Sequence, residues 1–256
     1  MTPLADILAA ATRKDGGLAV DIPADWMQGR TAYGGISTAI ALHGAMGIES
    51  DLPPLRSAQI SFIGPLAGTV RISATKLRRG RNAAFIQSDV TGAGGLGLRA
   101  TFVFMNAIAS RIAHDATPPA PVAPPPDDAE LFTGPENHFT GNFDFFDSGG
   151  EAGDAEWLRW GRLRARDGLH PMVELMAIAD ALPPAAYTLM EGSAPLSSLS
   201  WIVNLLDTAP NTDNGWWLLR AETDRARDGY SSQRMTIWNA RGEKVAEGMQ
   251  GVAIFG

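Results

Sequence analysis

Apolar and polar residues follow two different periods along this chain of 256 residues, and the periods recur in the same order in both halves. In the first half, Ile36–Met46 is apolar and alanine-rich on all sides, which predicts a helix buried nearly all round. Runs of β-branched and aromatic residues, separated by glycine-containing turns, predict strands. These strands are Gly17–Ile22, Arg56–Ile63, Thr69–Arg78, Ala83–Thr91 and Leu98–Met105, and a short amphipathic helix over Leu4–Arg13 precedes them.

The second half repeats this order. The apolar stretch His170–Ala181 has Pro171 in its first turn and Pro183 behind it, which predicts a second buried helix. A strand before it and four strands after it are predicted at Trp157–Arg164, Leu196–Leu206, Trp216–Arg225, Ser231–Asn239 and Lys244–Phe255. A strand, a buried helix and a run of antiparallel strands in each half indicate an α+β fold made of two similar units, like a fused dimer.

A proline-rich segment separates the two halves. Six prolines fall within His114–Asp128, and proline favours an extended linker over a helix or an interior strand. We therefore expect an N-terminal unit over residues 1–112, a linker over 113–135 and a C-terminal unit over 136–256.

Composition narrows the functional classes. Apolar residues make up 45% of the chain and charged residues 19%, which favours packed cores over disorder. The net charge of −7 argues against nucleic acid as a partner, since phosphate backbones are anionic. The absence of cysteine excludes disulfides, thiolate metal sites and cysteine nucleophiles. No apolar stretch approaches about 18 residues and no secretory signal opens the chain, so we expect a cytoplasmic protein without a membrane span.

The motifs that could bind a cofactor or a metal lack the surrounding sequence pattern that such binding requires. Gly92–Gly97 matches G-x-G-x-x-G, but the residues behind it predict a strand, whereas a dinucleotide site needs a helix there. We interpret it as a hairpin turn. The four histidines are scattered without an i, i+4 pair, which argues against zinc. We expect no cofactor and no metal.

Polar residues inside the second half suggest chemistry. Asp180 lies on the second apolar helix, where a carboxylate is costly unless it is paired or functional. Ser198 and Ser200 lie on the next strand, on one face by the two-residue period, and Gln250 lies on the last strand. A carboxylate, a hydroxyl and an amide together can position a water molecule. Taken singly, each of these residues could instead face solvent.

An order of motifs over nearly the whole chain resembles the acyl-CoA thioesterase II family. The motifs are Ala32–Gly35, Ala58–Pro65, Leu77–Gly80, Ala179–Pro183, Ser198–Ser200 and Glu243–Gln250. The resemblance implies a double hotdog, two tandem units in which an antiparallel sheet wraps around a long central helix. It also implies that Asp180 is the base or water orienter, Ser198 its hydrogen-bonding partner in place of the usual threonine, and Gln250 a second water ligand.

The resemblance further implies direct hydrolysis of an acyl-CoA thioester, and the fused pair allows for a homo-oligomer. We expect the glycine-rich entry to the first helix to stabilise the oxyanion and a basic turn to meet the carrier's phosphates. The predicted substrate-binding residues are Tyr33, Gly34, Gly35, Ser200, Arg78, Arg79 and Arg81.

Three alternatives remain at this point. The chain could bind acyl thioesters without hydrolysing them, or serve as a dimerisation module with a vestigial pocket. It could also be a hotdog dehydratase or hydratase, although that chemistry needs a histidine paired with a carboxylate. His43 has no acidic partner nearby in sequence.

Overall fold

A computed structural model describes residues 1–14, 16–148, 153–192 and 194–255. Glycine-bounded turns and β-branched runs give long antiparallel strands, and the two apolar stretches give helices. The α-helices are α1 (Leu4–Ala9), α2 (Gly34–Met46) and α3 (Pro171–Ile178), with 3-10 turns at Ala24–Trp26, Phe139–Asn142 and Ala185–Leu189.

Most strands belong to one large antiparallel sheet. In chain order they are β1 (Thr12–Lys14), β2 (Gly17–Ile22), β3 (Met27–Gln28), β4 (Thr31–Ala32), β5 (Leu55–Phe62), β6 (Gly68–Arg79), β7 (Ala83–Gly92), β8 (Gly95–Met105), β9 (Phe143–Phe146), β10 (Glu156–Leu163), β11 (Leu196–Leu205), β12 (Trp217–Arg227), β13 (Tyr230–Asn239) and β14 (Lys244–Ile254). Twelve of them form the order β1-β2-β6-β7-β8-β5-β11-β14-β13-β12-β10-β9, and β3 and β4 form a small separate hairpin.

The sheet order repeats about its middle. Strands β2-β6-β7-β8-β5 of the first half are matched by β10-β12-β13-β14-β11 of the second, and the halves join where β5 pairs with β11. Even the irregularities repeat, because each half has a register shift in the same three strand pairs. These pairs are β5·β8, β6·β7 and β7·β8 in the first half and β11·β14, β12·β13 and β13·β14 in the second.

The two apolar helices pack against each other beneath the sheet. The backbone of Gly35 lies so close to α3 that a Cβ at this position would sit 2.3 Å from the carbonyl oxygen of Ala177. The hydroxyl of Tyr33 donates to the same carbonyl oxygen over 2.9 Å. The N-terminus of α2 therefore meets the C-terminal end of α3. Nearly every residue of α2 is buried, as its pattern predicts.

Two of the predicted helices extend too far at their C-terminal ends. Helix α1 ends at Ala9 instead of Arg13, because Thr12–Lys14 pairs with β2 as a short strand. Helix α3 ends at Ile178 instead of Ala181, and the N–H of Ala181 turns back to the carbonyl of Ile178. Asp180 consequently lies in the turn after the helix.

The proline-rich segment is extended and lies against the outer face of the second half. The indole N–H of Trp238 donates to the carbonyl of Pro118 over 2.9 Å, and the N–H of Ala120 donates to Gly242 over 3.0 Å. Ala120 and Val122 pack on a cluster that includes Trp160 and Trp238. None of the helices in the described part of the chain combines the length and the apolar character that a membrane span requires.

Candidate active site

A cavity of about 1080 Å³ opens between the two halves. Its walls come from the β3–β4 hairpin, the N-terminus of α2, the end of β5, residues 132–140, the turn after α3, the start of β11 and Gln250 on β14. This volume is at the upper end for small-molecule sites. Apolar side chains make up much of the wall, including Phe62, Leu66, Leu98, Phe139, Leu182 and Leu196.

Asp180 and Gln250 meet at this cavity. The Gln250 side-chain nitrogen Nε2 donates to Asp180 Oδ1 over 2.8 Å. The other carboxylate oxygen, Oδ2, lies against the N-terminus of α2, since a Cβ at Gly34 would be only 2.3 Å from it. A carboxylate of the second half is thus held between an amide of its own half and the first helical turn of the other half.

The surroundings of Asp180 tune its protonation. Burial raises the pKa of Asp180 to about 7, and the hydrogen bond from Gln250 opposes this rise by favouring the charged form. Burial, and then the Asp180 charge, raise the pKa of the Tyr33 hydroxyl well above its usual range. A carboxylate that titrates near neutrality can accept a proton from water at working pH.

A β-bulge separates the two candidate serines. Ser198 pairs with Val252 but Ser200 pairs with Gly251, so Leu199 is an extra residue in β11. Consecutive residues of a strand point to opposite faces, so Ser198 lies on the inner face with Gln250, whereas Ser200 lies on the outer face. Ser198 lines the cavity. The prediction that both serines share a face is wrong, and Ser200 is exposed away from the cavity.

Ser198 lines the same cavity as Asp180 and Gln250, but its hydroxyl is not bonded to either of them. Among the described residues, no hydrogen bond links Ser198 to Asp180 or to Gln250.

Of the glycine-rich entry to α2, Gly34 alone of the three predicted residues lines the cavity. Tyr33 is buried, its ring stacked on Phe139 at a centroid distance of 4.1 Å. Gly35 is covered by Ala177. Tyr33 and Gly35 therefore hold the two helices together rather than facing the cavity.

The predicted phosphate-binding arginines lie at the other end of the sheet. Leu98 lines the cavity at the start of β8, while Met105 at its end pairs with Ala83, next to the arginine turn. At about 3.4 Å per residue this separates them by about 24 Å. Arg79 is engaged by Asp51 over 3.2 Å. The register thus removes Arg78, Arg79 and Arg81 from the cavity.

Two other arginines lie at the cavity wall instead. Arg30 is exposed on the turn between β3 and β4. Arg159 is paired with Asp147 over 2.6 Å and lies over the ring of Phe132. Within the described part of the chain, no group of three or more metal-ligating side chains is arranged to hold an ion.

Sequence reasoning missed Gln233, which extends the polar pair into the core. Its Nε2 donates to Gln250 Oε1 over 2.6 Å, and its Oε1 accepts from the backbone N–H of Ala185 over 2.8 Å. Only 1% of its surface is exposed. The signal was present in the strand pattern, because Gln233 occupies an inward position of β13 between Ser231 and Met235.

The matching positions of the first half are apolar. The two halves can be matched strand by strand through their register shifts. The cross-strand pair Trp201 and Gln250 then corresponds to Ala58 and Phe102 of the first half. The pair Gln233 and Gln250 corresponds to Ile86 and Phe102. Ser198 aligns with Leu55 in the same way. The inward polar residues therefore belong to the second half alone among these matched positions.

Solved structures share this architecture. One is a protein of unknown function with a hot dog fold from Alicyclobacillus acidocaldarius, with a TM-score of 0.84 and 21% identity over 100% of this chain and 99% of that one. A candidate thioesterase II from Thermobifida fusca has a TM-score of 0.83 and 21% identity over 100% and 98%. A candidate thioesterase from Novosphingobium aromaticivorans has a TM-score of 0.80 and 22% identity over 96% and 99%. These likenesses establish the hot dog fold.

Sequence-family profiles match both halves. The acyl-CoA thioesterase C-terminal domain matches residues 114–254, and the acyl-CoA thioesterase N-terminal domain matches residues 22–105. No curated protein matches the chain. Since the C-terminal profile alone spans more than half of the residues, the chain belongs to the acyl-CoA thioesterase family.

Proposed function

We propose that this protein hydrolyses acyl-CoA thioesters by direct attack of a water molecule that Asp180 activates. The observation that carries the proposal is the carboxylate of Asp180, which is held at the cavity wall with its pKa raised to about 7 and its Oδ1 bound by Gln250. Family membership supplies the reaction class, and the geometry supplies the base.

In the proposed mechanism, water lies between Asp180 and the thioester carbonyl. The water oxygen attacks the carbonyl carbon while Asp180 takes its proton. The negative charge then develops on the former carbonyl oxygen, where the unpaired N–H groups of the first turn of α2 can stabilise it. When the C–S bond breaks, the thiolate takes the proton from Asp180. The products are a carboxylic acid and a free thiol.

Gln250 and Ser198 orient the water in this proposal. Gln250 keeps Asp180 in place, and Ser198 lies on the same inner face of the sheet. A serine hydroxyl can donate and accept, which suits a water molecule that must present a lone pair to the carbonyl carbon.

The apolar wall suits the acyl chain, and the cavity's exposed cation suits the carrier. Arg30 lies on a turn at the wall without a carboxylate contact among the described residues, whereas Arg159 is already paired with Asp147. We propose Arg30 as the contact for a phosphate of coenzyme A.

For the architecture, we propose that each half is one hotdog unit, so that the chain is a double hotdog. The units are residues 1–112 and 136–256, joined by the linker 113–135. The repeated strand order and the repeated register shifts support this division. The cavity would then be formed by both units, with the acid–base group in the second.

The test is release of free thiol from a panel of acyl-CoA substrates. We expect Asp180→Asn to lower kcat/KM by about 100- to 10,000-fold, the usual contribution of a general base. Glu174→Gln is the matched control, because Glu174 is also a partly buried carboxylate whose pKa burial raises, but it contacts Trp217 outside the cavity. Equal activity of Asp180→Asn and wild type would sink the mechanism. Tight binding of acyl-CoA without thiol release would support a non-hydrolytic binder instead.

A further inference from the structure

Three hydrogen bonds run in one direction from the backbone of the second half to Asp180. The N–H of Ala185 donates to Gln233 Oε1 over 2.8 Å. Gln233 Nε2 then donates to Gln250 Oε1 over 2.6 Å, and Gln250 Nε2 donates to Asp180 Oδ1 over 2.8 Å.

The first of these donors settles the orientation of both amides. A backbone N–H can only donate, so the atom of Gln233 that faces Ala185 must be its oxygen. The NH₂ group of Gln233 then faces Gln250, whose own oxygen must meet it. Gln250 is left to present its NH₂ group to Asp180, and it cannot present an acceptor without opposing two like groups in the core.

We propose that Gln233 is a positioning residue for the thioesterase reaction, which fixes Gln250 as a donor to Asp180 and so keeps the carboxylate ionised and aligned. This inference rests on the proposed function. Gln233 does not line the cavity, so it acts through Gln250 and not on the substrate.

The first half indicates that the fold has no need of an amide at this position. There the matching residue is Ile86, which pairs with Phe102 as Gln233 pairs with Gln250, and both first-half residues are fully buried. Burying two amides in place of apolar side chains stabilises nothing unless every polar atom has a partner. The polar pair therefore points to a task in the second half.

The same series of hydrogen bonds polarises the bond from Gln250 to Asp180. Each donation onto an amide oxygen makes that amide's N–H groups stronger donors. Strong donation to Asp180 favours its charged form and opposes the effect of burial. Tyr33 at the α2 entry interacts with the charge of Asp180. The other titratable or charged groups that face the same cavity are Arg30, His138, Arg159 and Tyr187.

The experiment uses Gln233→Met, which keeps the length of the side chain and removes the amide. We expect kcat to fall about tenfold with KM within about twofold, because the acyl contacts are unchanged. We also expect the acid limb of the kcat/KM profile to move up by on the order of one pH unit, since a freed Gln250 can turn its oxygen toward a protonated Asp180. The shift should vanish when Gln233→Met is made in a Gln250→Met background.

A direct titration separates this inference from the proposed function. The carboxyl carbon of Asp180, assigned by its loss in Asp180→Asn, is followed by ¹³C NMR in the unliganded protein. Its midpoint should rise in Gln233→Met but stay at the wild-type value in Ser231→Ala, which removes another buried hydrogen bond from the same strand. Unchanged midpoints in folded Gln233→Met would overturn the inference even if wild type hydrolyses thioesters.

The reverse outcome is equally distinct. If wild type releases no thiol from any acyl-CoA, the proposed function fails while the titration still decides the role of Gln233. Gln233→Ile, which copies the first-half residue, serves as the second variant if Gln233→Met does not fold. The same rise is expected of it.

Discussion

The two halves of this protein have the same strand order and the same three register shifts, yet they differ in what they point inward. Where the second half has Ser198, Gln233 and Gln250, the first half has Leu55, Ile86 and Phe102. The backbone geometry therefore accepts either a dry core or a polar network. A polar network is tolerated only when its inward polar atoms find partners, and in the second half the amides of Gln233 and Gln250 do.

The first half nevertheless contributes to the site. Its helix α2 begins at Gly34, directly against Asp180 Oδ2. Asp180 itself sits after the shorter helix α3 of the second half. One half thus supplies a helix N-terminus, and the other supplies the carboxylate and its amides.

The largest expected effect is on the free energy of unfolding, and it comes from the buried carboxylate of Asp180. The unfolded chain releases the Asp180 proton near pH 3.8, whereas the folded protein holds it to a pKa of about 7. The free energy of unfolding of wild type should therefore fall between about pH 4 and pH 7, and Asp180→Asn should remove this loss. At pH 8 we expect the variant to be more stable by up to about 4 kcal/mol, measured by urea unfolding across pH. An identical pH dependence in both proteins would contradict the buried carboxylate.

The second prediction tests whether helix α2 of the first half contributes to the site. Gly34→Ala places a Cβ only 2.3 Å from Asp180 Oδ2, so the carboxylate must move away from the helix N-terminus. We expect kcat/KM to fall about 100-fold, as when a reacting group is misplaced by about 1 Å. Gly94→Ala is the matched control, because a Cβ there meets open space in the turn between β7 and β8. Full activity of Gly34→Ala would remove α2 from the site.

The smallest effect tests the bulge in β11. We expect Ser198→Ala to lower kcat/KM about tenfold, which is about the value of one hydrogen bond to the water. Ser200→Ala should stay within about twofold of wild type, because its side chain faces outward. Steady-state kinetics on one acyl-CoA decide between them. The opposite ranking of the two variants would show that the register assigned to this strand is wrong in solution.

Much of the fold follows from local pattern. The strands of both halves lie within a few residues of their predicted bounds, because glycine turns and β-branched runs act over short distances. Burial of α2 was evident from its alanine-rich sequence. The helix ends were harder, since strand pairing of Thr12–Lys14 and a turn at Ala181 compete with helix propensity.

Some features of the candidate site were likewise evident from local pattern, and others were not. The sequence by itself determined the repeat, the antiparallel strands and the unusual position of a carboxylate beside an apolar helix, because these depend on residue type and period. Only the tertiary structure decided that Ser198 and not Ser200 faces inward, since a single extra residue at Leu199 reverses the alternation. It also decided that the arginine turn lies at the far end of the sheet, and that Gln233 joins Gln250. Those relations depend on strand register, which brings together residues that are distant in the chain and which no local pattern encodes.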